Sequence, residues 1–278
     1  MPEAPEVETV RRTLEKQLQG RQITGVSITH PKLADNMPAS EMEEKLTGEH
    51  LVSFHRLGKY LILETDHYDW VAHMRMEGKF LVFDEEPQDE KIRKHTHAVF
   101  DLDNGKKLCY VDTRKFGRMD LYDKCSDFHA LPALKKTGLD VLDEKLTGES
   151  LYQKIHKRNI PIKTALLNQS VIAGIGNIYA DEILFAAGLD PRSLCSHLDV
   201  EDCRRIVKAA KEIIQEAILH KGTTILSFSS DNHPGEFQNF LKVHVREGEP
   251  CQKCEHAIEL IRVNNRSTYL CPECQILK

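Results

Sequence analysis

Hydrophobic positions near the start of the chain recur at helical spacing. Val7, Val10, Leu14 and Leu18 follow one another at steps of three and four residues, which predicts an amphipathic helix over residues 5–18. Pro5 suits the first turn of such a helix, where a missing N–H group costs little.

From about residue 22 to residue 122 the pattern changes to short apolar runs. Runs such as ITGVSI, KYLILET, KFLVF and HAVFDL have the length and the β-branched or aromatic content of strands. Asn104-Gly105 lies between two of them and indicates a hairpin. This half is therefore predicted to be a β-sandwich or barrel that carries one N-terminal helix.

After about residue 130 helical periodicity returns. It is found in four segments, Leu146–Ile155, Thr164–Ser170, Asn177–Ala187 and Val200–His220. A tight turn with two glycines, AGIGN, lies at 173–177, before the third segment. Residues 221–237 are rich in Gly, Ser, Asp, Asn and Pro, and a loop of that length is often functional. Short strands are predicted again after Phe240.

Composition narrows the class of protein. The chain has 278 residues, about two domains' worth, with 40% hydrophobic and 29% charged residues, which excludes a disordered chain. A formal charge of −5 argues against a broadly basic, non-specific nucleic-acid binder. No apolar run reaches the ~18 residues of a membrane span, and the acidic N-terminus is not a signal peptide. We therefore expect a cytoplasmic protein without a membrane partner.

Four of the eight cysteines form a metal-binding pattern. Cys251, Cys254, Cys271 and Cys274 make two Cys-x2-Cys pairs separated by sixteen residues. Each pair can present two thiolates on a tight turn, and two such turns complete a tetrahedron. In a reducing compartment this spacing predicts one structural Zn2+ ion rather than two disulfides. Four thiolates leave no position for a catalytic water molecule.

The N-terminus is a candidate nucleophile. A small second residue predicts removal of Met1, which would leave Pro2 with a free secondary amine. Such an amine can attack an aldehydic carbon and form an iminium ion, as a lysine does in a Schiff base. Its reference pKa of about 8 lies well below that of lysine, so more of it is neutral at working pH.

Several motifs occur together and in one order along the chain. They are PEAPEVETVRR at the start, RLGKYLI at 56–62, HMRMEGKF at 73–80, DTRKFG at 112–117, AGIGNIYADEILF at 173–185 and the cysteine module. Over the whole chain they resemble bacterial formamidopyrimidine-DNA glycosylases, which remove oxidised purines from DNA and then cleave the strand. The resemblance implies an α+β fold of two domains. A β-sandwich with an N-terminal helix precedes a helix–two-turn–helix domain with a four-cysteine zinc finger.

By the same resemblance we expect three parts. These are a catalytic domain at 1–131, a helix–two-turn–helix domain at 132–237 whose lesion-capping loop is about 221–237, and a zinc finger at 238–278. The resemblance further implies a monomer that acts on double-stranded DNA containing oxidised bases or abasic sites, in use at the bacterial nucleoid.

Catalytic roles also follow from the resemblance. Pro2 resembles the nucleophile that attacks C1′, Glu3 the neighbouring acid/base, and Glu6 a supporting carboxylate. Lys59 resembles the lysine that contacts phosphate and assists β-elimination, and Arg266 the finger arginine that assists δ-elimination.

Further positions resemble the family's DNA contacts. Met76, Arg114 and Phe116 match the residues that fill the void left by a base that has left the stack. Asn177 resembles a phosphate-binding asparagine, and the remaining expected contacts, with phosphate or other parts of the DNA, are at His73, His95 and Arg158.

The sequence departs from the family pattern in the finger and in nearby turns. His244-Val245-Arg246 replaces a frequent Tyr-Gly-Arg, Asn265 replaces a glycine, and Glu255 stands where a glycine usually follows the second ligand. Thr96 interrupts a KHDH segment and Asn168 stands where Asp is frequent. These changes leave the catalytic groups in place and bear on the hairpin geometry and on one tyrosyl phosphate contact.

Two other functions remain open from the sequence. One is the sister family that resembles endonuclease eight and prefers oxidised pyrimidines, although Arg114 and Phe116 favour the purine enzyme. The other is a non-catalytic DNA-binding protein, which would follow if Met1 stayed attached to Pro2. Basic residues near 55–59, 73–75, 114–118 and 154–158 predict a positive cleft on an acidic body, and hence salt-sensitive DNA binding.

Overall fold

The computed structural model describes residues 1–223 and 235–278. The chain divides into two compact units. Unit 1 comprises Met1–Lys135 together with Lys221–Gly235, and unit 2 comprises Lys136–His220 and Glu236–Lys278. Most of the expected lesion-capping loop, at 224–234, lies outside the described residues. In the part of the chain that is described, no helix has the length and apolarity needed to cross a membrane.

Unit 1 is built on two antiparallel sheets of four strands each. The first has the order β1-β6-β7-β5 and the second the order β2-β3-β4-β8. The strands of the first sheet are β1 (Ile23–Ile28), β5 (Lys79–Phe83), β6 (Thr96–Leu102) and β7 (Lys107–Val111). Those of the second are β2 (Ser53–Leu57), β3 (Tyr60–Glu64), β4 (Tyr68–His73) and β8 (Arg118–Asp123).

A single hydrophobic core joins the two sheets. Trp70 of β4 is fully buried, with its ring 4.5 Å from that of Phe100 on β6 and 5.9 Å from that of Phe80 on β5. Helix α1 (Ala4–Leu18) buries Val7, Val10, Leu14 and Leu18 in the same core, as the periodicity predicts. The predicted hairpin at Asn104-Gly105 is present, with Gly105 at a φ of 81°.

Unit 1 also contains two helices that the strand-like pattern of residues 22–122 does not reveal. They are α2 (Ala39–Leu46) and α3 (Glu90–His95). Helix α2 buries only Met42 and Leu46, a single pair at four-residue spacing, and α3 buries none of its residues. Their periodic signal is therefore too short to stand out from the surrounding strands.

Unit 2 is mainly helical. Its helices are α4 (Gly148–Ile155), α5 (Ile162–Leu167), α6 (Asn177–Ala187) and α7 (Val200–Leu219), and α7 packs against α4 and α6. The turn between α5 and α6 contains Gly174 at a φ of 107°, a conformation that favours glycine. Two short parallel strands, β9 (Leu139–Asp140) and β10 (Ile172–Ala173), lie beside it. The α5–turn–α6 arrangement is the expected helix–two-turn–helix element.

The cysteine module of unit 2 forms a hairpin of β11 (Glu259–Val263) and β12 (Arg266–Leu270). Asn264 and Asn265 form its two-residue turn, with φ values of 44° and 61°. Two positive values are what a type I′ turn requires, and asparagine tolerates them better than most residues. Glu255 has a φ of 65°, so the backbone keeps a glycine-like shape at both departures from the family pattern.

Val245 lies in the left-handed region at a φ of 57°, where a β-branched side chain is strained, and its side chain is exposed. We expect Val245→Gly to raise the free energy of unfolding by about 0.5–1 kcal/mol, because relief of the strain exceeds the entropy lost with glycine. Urea denaturation followed by hydrogen exchange in peptides from 236–278 would measure it. Val52→Gly, at an exposed valine without positive φ, should instead destabilise the protein. A destabilised Val245→Gly variant would contradict the strain argument.

Candidate active site and nucleic-acid interface

The structure divides the expected site residues between the two units. Unit 1 holds the residues expected to react or to enter the duplex, namely Pro2, Glu3, Lys59, His73, Met76, His95, Arg114 and Phe116. Unit 2 holds the remaining DNA contacts and the metal ligands, namely Arg158, Asn177, Arg266 and the four cysteines.

The N-terminal segment is held by a buried carboxylate. Pro2, Glu3 and Glu6 are buried at the start of α1. The backbone N–H of Glu3 donates to Glu6 Oε2 at 2.8 Å. Glu6 Oε1 accepts hydrogen bonds from the backbone N–H and the hydroxyl of Thr223, at 2.8 and 3.0 Å. Glu6 therefore fixes the backbone beside Pro2 and the point where the chain returns at Thr223.

The electrostatic environment favours a neutral amine at this end of the chain. Burial lowers the pKa of the α-amino group of Met1, the Glu3 and Glu6 carboxylates oppose that shift, and the Lys59 ammonium adds to it. Lys59 is itself buried, in the two-residue turn Gly58-Lys59 between β2 and β3. An amine at this position thus has a carboxylate and an ammonium group within electrostatic range, the residue types needed to move protons around a reacting carbon.

A second buried carboxylate shapes the loop between β7 and β8. Asp112 accepts hydrogen bonds from the backbone N–H groups of Arg114, Phe116 and Gly117, at 2.9, 3.0 and 2.9 Å. The Arg114 guanidinium lies 4.7 Å from the centre of the Phe116 ring, a cation–π contact. Phe116 is 47% exposed, which is unusual for a phenylalanine that only stabilises the fold.

Met76 lies on the neighbouring loop between β4 and β5. It is 37% exposed, so it is not a core residue. Glu77, the next residue, accepts a hydrogen bond from the Thr113 hydroxyl of the other loop. The two loops leave adjacent strands, because Lys79 of β5 pairs with Val111 of β7. The structure therefore brings Met76, Arg114 and Phe116 to one end of the first sheet.

The two histidines of unit 1 that are expected to contact DNA differ in their surroundings. Burial, with the nearby charges of Arg75 and Lys59, lowers the pKa of His73 to about 3. His73 is therefore neutral, and the expected contact with DNA would use a hydrogen bond rather than a charge. Its Nδ1 atom accepts a hydrogen bond from the backbone N–H of Arg75 at 3.0 Å. The carbonyl of His95 accepts from the backbone N–H of Asp112 at 2.9 Å, which joins His95 to the loop of Arg114.

In unit 2 the expected DNA contacts lie at the ends of elements. Asn177 begins α6, where the exposed N–H groups of a helix favour an anion. Its side-chain amide donates to the Ser267 carbonyl at 3.0 Å, next to the exposed Arg266 at the start of β12. Arg158 follows α4 and is partly exposed, and its charge adds to burial in lowering the pKa of Lys154. The structure thus brings Asn177 and Arg266 together.

A fully buried ion network joins α5, α6 and β12. Lys163 Nζ donates to Asp181 at 2.7 Å, to the Thr268 hydroxyl at 2.9 Å and to the Ser267 carbonyl at 3.0 Å. The other Asp181 oxygen lies 2.8 Å from His244 Nδ1, so His244 is engaged in the interior of the unit. The sequence does not predict a role for Lys163 or Asp181, because a lone lysine and a lone aspartate in helical segments carry no spacing signal.

The four cysteines form one cluster. Their Sγ atoms all lie within 4.8 Å of one another, and the shorter separations are 3.4 Å for Cys254–Cys271 and 3.9 Å for Cys251–Cys274. Four thiolates at about 2.3 Å from a zinc ion would be about 3.8 Å apart at the corners of a tetrahedron. The donor set therefore fits a tetrahedral soft-metal site, and the backbone N–H of Lys253 already points at Cys251 Sγ.

The fold and these residues define a class of enzyme that acts on nucleic acid. It combines a β-sandwich with a helix–two-turn–helix domain and a four-cysteine finger. Three family models match along the chain. They are the formamidopyrimidine-DNA glycosylase N-terminal domain at 1–119, the formamidopyrimidine-DNA glycosylase H2TH domain at 137–229, and the zinc finger found in FPG and IleRS at 248–276. The chain belongs to the formamidopyrimidine-DNA glycosylase family.

Relatives match over the full length. The chain is 41% identical over 276 residues to the formamidopyrimidine-DNA glycosylase of Exiguobacterium sibiricum, with 99% of each chain covered. It is 42% identical over 281 residues to that of Pediococcus pentosaceus, with 100% of each covered.

Solved structures of similar proteins bound to DNA have the same fold as this chain. A Lactococcus lactis Fpg complex with abasic-site DNA matches with a TM-score of 0.90 and 35% identity, over 98% of this chain and 99% of that one. A MutM complex with DNA containing carbocyclic 8-oxo-G matches with a TM-score of 0.88 and 34% identity, over 99% and 100%. The expected family and fold class are confirmed.

Removal of one partner from the buried ion network should be costly. We expect Lys163→Met to lower the free energy of unfolding by about 3–5 kcal/mol, because it leaves the Asp181 carboxylate buried with fewer donors. Urea denaturation followed by hydrogen exchange in unit 2 would measure it. Lys208→Met is the matched control, since Lys208 is 77% exposed and lies 4.0 Å from its partner Glu212. Equal effects of the two substitutions would show that the network contributes little.

Proposed function

We propose that this protein is a bifunctional DNA glycosylase and abasic-site lyase of base excision repair. It excises oxidised purines, such as 8-oxoguanine and formamidopyrimidines, from double-stranded DNA and then cleaves the strand by β,δ-elimination. The observation that carries the proposal is the N-terminal segment itself. Pro2 lies buried beside Glu3, with Lys59 close enough to influence the terminal amine, in a chain 41% identical to named glycosylases.

Chemistry at Pro2 begins with a neutral amine. Once Met1 is removed, the lone pair of the Pro2 nitrogen forms a bond to C1′ of the damaged nucleotide. The electrons of the glycosidic bond leave with the base, which takes up a proton. The nitrogen then loses its proton, and its lone pair opens the sugar ring as O4′ is protonated, which gives an iminium ion (the Schiff base). The buried surroundings that lower the pKa of the amino terminus favour the neutral amine that this attack requires.

Elimination follows from the same intermediate. The iminium group withdraws electrons from C2′, so loss of a C2′ proton expels the 3′ phosphate and a second elimination expels the 5′ phosphate. Glu3 is the proposed acid/base for these proton transfers. Lys59 and Arg266 are the proposed cations that hold the phosphates as they leave.

Extrusion of the damaged base leaves a void in the duplex. We propose that Met76, Arg114 and Phe116 fill it, since an apolar wedge between base steps kinks a duplex and an arginine can hydrogen-bond the orphaned base. The exposure of Met76 and Phe116 supports this role. Contacts of His73, His95, Arg158 and Asn177 with the DNA backbone complete the proposed interface.

Oxidised purines are the preferred substrate class in this proposal. The relatives are named formamidopyrimidine-DNA glycosylases, and two of the matching structures contain Fapy-dG and carbocyclic 8-oxo-G DNA. These names favour the purine enzyme over the sister family for oxidised pyrimidines. In this proposal residues 1–131 carry out the reaction, residues 132–237 bind the strand and residues 238–278 carry Arg266. The protein is proposed to act as a monomer in the bacterial cytoplasm.

The cofactor in this proposal is one Zn2+ ion held by Cys251, Cys254, Cys271 and Cys274. Bound there, the ion would hold the two thiolate turns together without taking part in the reaction. The hairpin that carries Arg266 lies between the two cysteine pairs, so its position depends on them.

Pro2→Gly should abolish most of the covalent intermediate. We expect the trapped fraction to fall at least about tenfold, because a secondary amine gives a more readily formed iminium than a primary one and the ring fixes its direction. The measurement is borohydride trapping on a duplex with 8-oxoguanine opposite cytosine, with thymine glycol DNA as the comparison substrate. Intact-mass analysis would verify removal of Met1 in both proteins. A wild-type protein that retains Met1 and still traps DNA would contradict Pro2 as the nucleophile.

Loss of one cysteine ligand should affect DNA binding more than the β-sandwich. We expect Cys251→Ser to reduce zinc content below one ion per chain and DNA affinity by at least about tenfold, while unit 1 keeps its resistance to denaturant. Elemental analysis, a DNA titration at fixed salt and hydrogen exchange in unit 1 would measure these effects. Cys125→Ser, outside the cluster, is the control. Equal loss of binding and of unit 1 stability would refute an independent finger.

A further inference from the structure

Tyr110 lies between the two loops that carry Met76, Arg114 and Phe116. It belongs to β7, pairs with Phe80 of β5, and is 1% exposed. Its side chain reaches the end of the sheet from which both loops leave. A Cβ atom on Gly78 of the first loop, or on Gly117 of the second, would overlap with the Tyr110 hydroxyl oxygen. One oxygen atom therefore occupies the space beside both glycines.

These two glycines are not required by their backbone conformation. Neither Gly78 nor Gly117 has a positive φ, so other residues could adopt the same dihedral angles. At Gly117 the space taken by Tyr110 excludes a side chain, and at Gly78 Tyr110 and the Met74 carbonyl oxygen exclude one together. The glycine of DTRKFG is thus explained by Tyr110, which belongs to neither motif, and the glycine of HMRMEGKF by Tyr110 together with the Met74 carbonyl.

The hydroxyl of Tyr110 has no evident role in stability. It is buried, and in the part of the chain that the structure describes it makes no well-formed hydrogen bond, although the Asp112 carboxylate lies close enough to interact with it. Burial, with the nearby Asp112 carboxylate, raises the pKa of Tyr110, so the phenol stays neutral. A buried hydroxyl without a partner costs stability, and phenylalanine would avoid that cost. The oxygen therefore acts here through the space that it fills.

Both loops have strained backbone next to the exposed side chains. Arg75 has a φ of 56° and Lys115 a φ of 58°, each one residue away from Met76 or Phe116. Strained residues persist only where the surroundings fix them. The surroundings here are the Asp112 hydrogen bonds, the Thr113–Glu77 hydrogen bond and the Tyr110 hydroxyl.

We propose that Tyr110 is a positioning residue that sets the spacing of the two loops, so that Met76, Arg114 and Phe116 enter the duplex as one rigid group. The inference rests on the proposed function, because it assigns Tyr110 to the void-filling step of that reaction. It predicts a loss confined to substrates with a second strand. An abasic site in a single strand has no opposite base and no stack to fill, so reaction there needs only the Pro2 side of the site.

Tyr110→Phe tests the proposal. We expect single-turnover excision of 8-oxoguanine opposite cytosine to fall about tenfold, because small displacements of positioned groups have large effects on rate. Borohydride trapping on a single-stranded abasic oligonucleotide should equal that of wild type. The melting temperature should be unchanged or higher. A fluorescent cytosine analogue opposite the lesion should show less unstacking in the variant than in wild type. Tyr68→Phe is the matched control, since Tyr68 lies on β4, outside both loops.

The outcomes of these experiments either support or overturn the role proposed for Tyr110. Wild-type excision by Tyr110→Phe would overturn the proposal, and so would equal loss on duplex and single-stranded substrates, which would mark Tyr110 as merely structural. A wild-type enzyme inactive on both substrates would instead refute the proposed function, and the inference with it. Gly117→Ala gives a second approach, because its methyl group must displace the phenol. It should show the same duplex-specific loss, and wild-type excision by a folded Gly117→Ala variant would also overturn the proposal.

Discussion

Buried carboxylates that must be hydrogen-bonded hold the functional segments of this chain. An ionised carboxyl group removed from water is stable only where donors replace the water. Glu6 finds them in Glu3 and Thr223, and Asp112 in the loop of Arg114 and Phe116. Glu182 of α6 accepts from three successive backbone N–H groups at 242–244, and burial nevertheless raises its pKa. In each case most of the donors are backbone N–H groups outside the regular helices and strands, and Glu6 also accepts from the Thr223 hydroxyl.

This arrangement explains how irregular segments can carry precise chemistry. Loops have few repeating hydrogen bonds, so their shape must come from specific contacts. A carboxylate that binds two or three backbone N–H groups sets several dihedral angles at once. The loop from Asp112 to Gly117 is the clearest example, because one side chain determines the directions of both Arg114 and Phe116. Loss of the Asp112 carboxylate would therefore disrupt the conformation of this loop before it destabilised the sheets.

The sequence predicts the regular parts of the structure well. Helix α6 has the predicted bounds, Asn177–Ala187, because a tight glycine turn precedes it and a left-handed glycine, Gly188, ends it. The four cysteines were expected to meet, and they do, because the spacing of ligands is a local property. Helix α2 was missed because two buried residues make too short a pattern.

Contacts between distant residues account for the rest of what the sequence does not reveal. Tyr110 in a strand, Lys163 in a helix and Thr223 after a helix have ordinary patterns, and their importance arises from partners elsewhere in the chain. The resemblance supplied the identity of the expected site residues, whereas their surroundings, such as the neutral state of His73, required the structure.

The Lys163 network has a consequence for the order in which the protein is made. Two acceptors of Lys163, Ser267 and Thr268, lie 104 and 105 residues further along the chain. During synthesis, α5 and α6 leave the ribosome long before β12, and in that interval the Lys163 ammonium has Asp181 but neither of these two oxygens. The helix–two-turn–helix element can therefore reach its final packing only after the finger has been translated. A nascent chain that ends before β12 would lack Arg266 and the Lys163 acceptors Ser267 and Thr268, so the region around Asn177 completes its packing last.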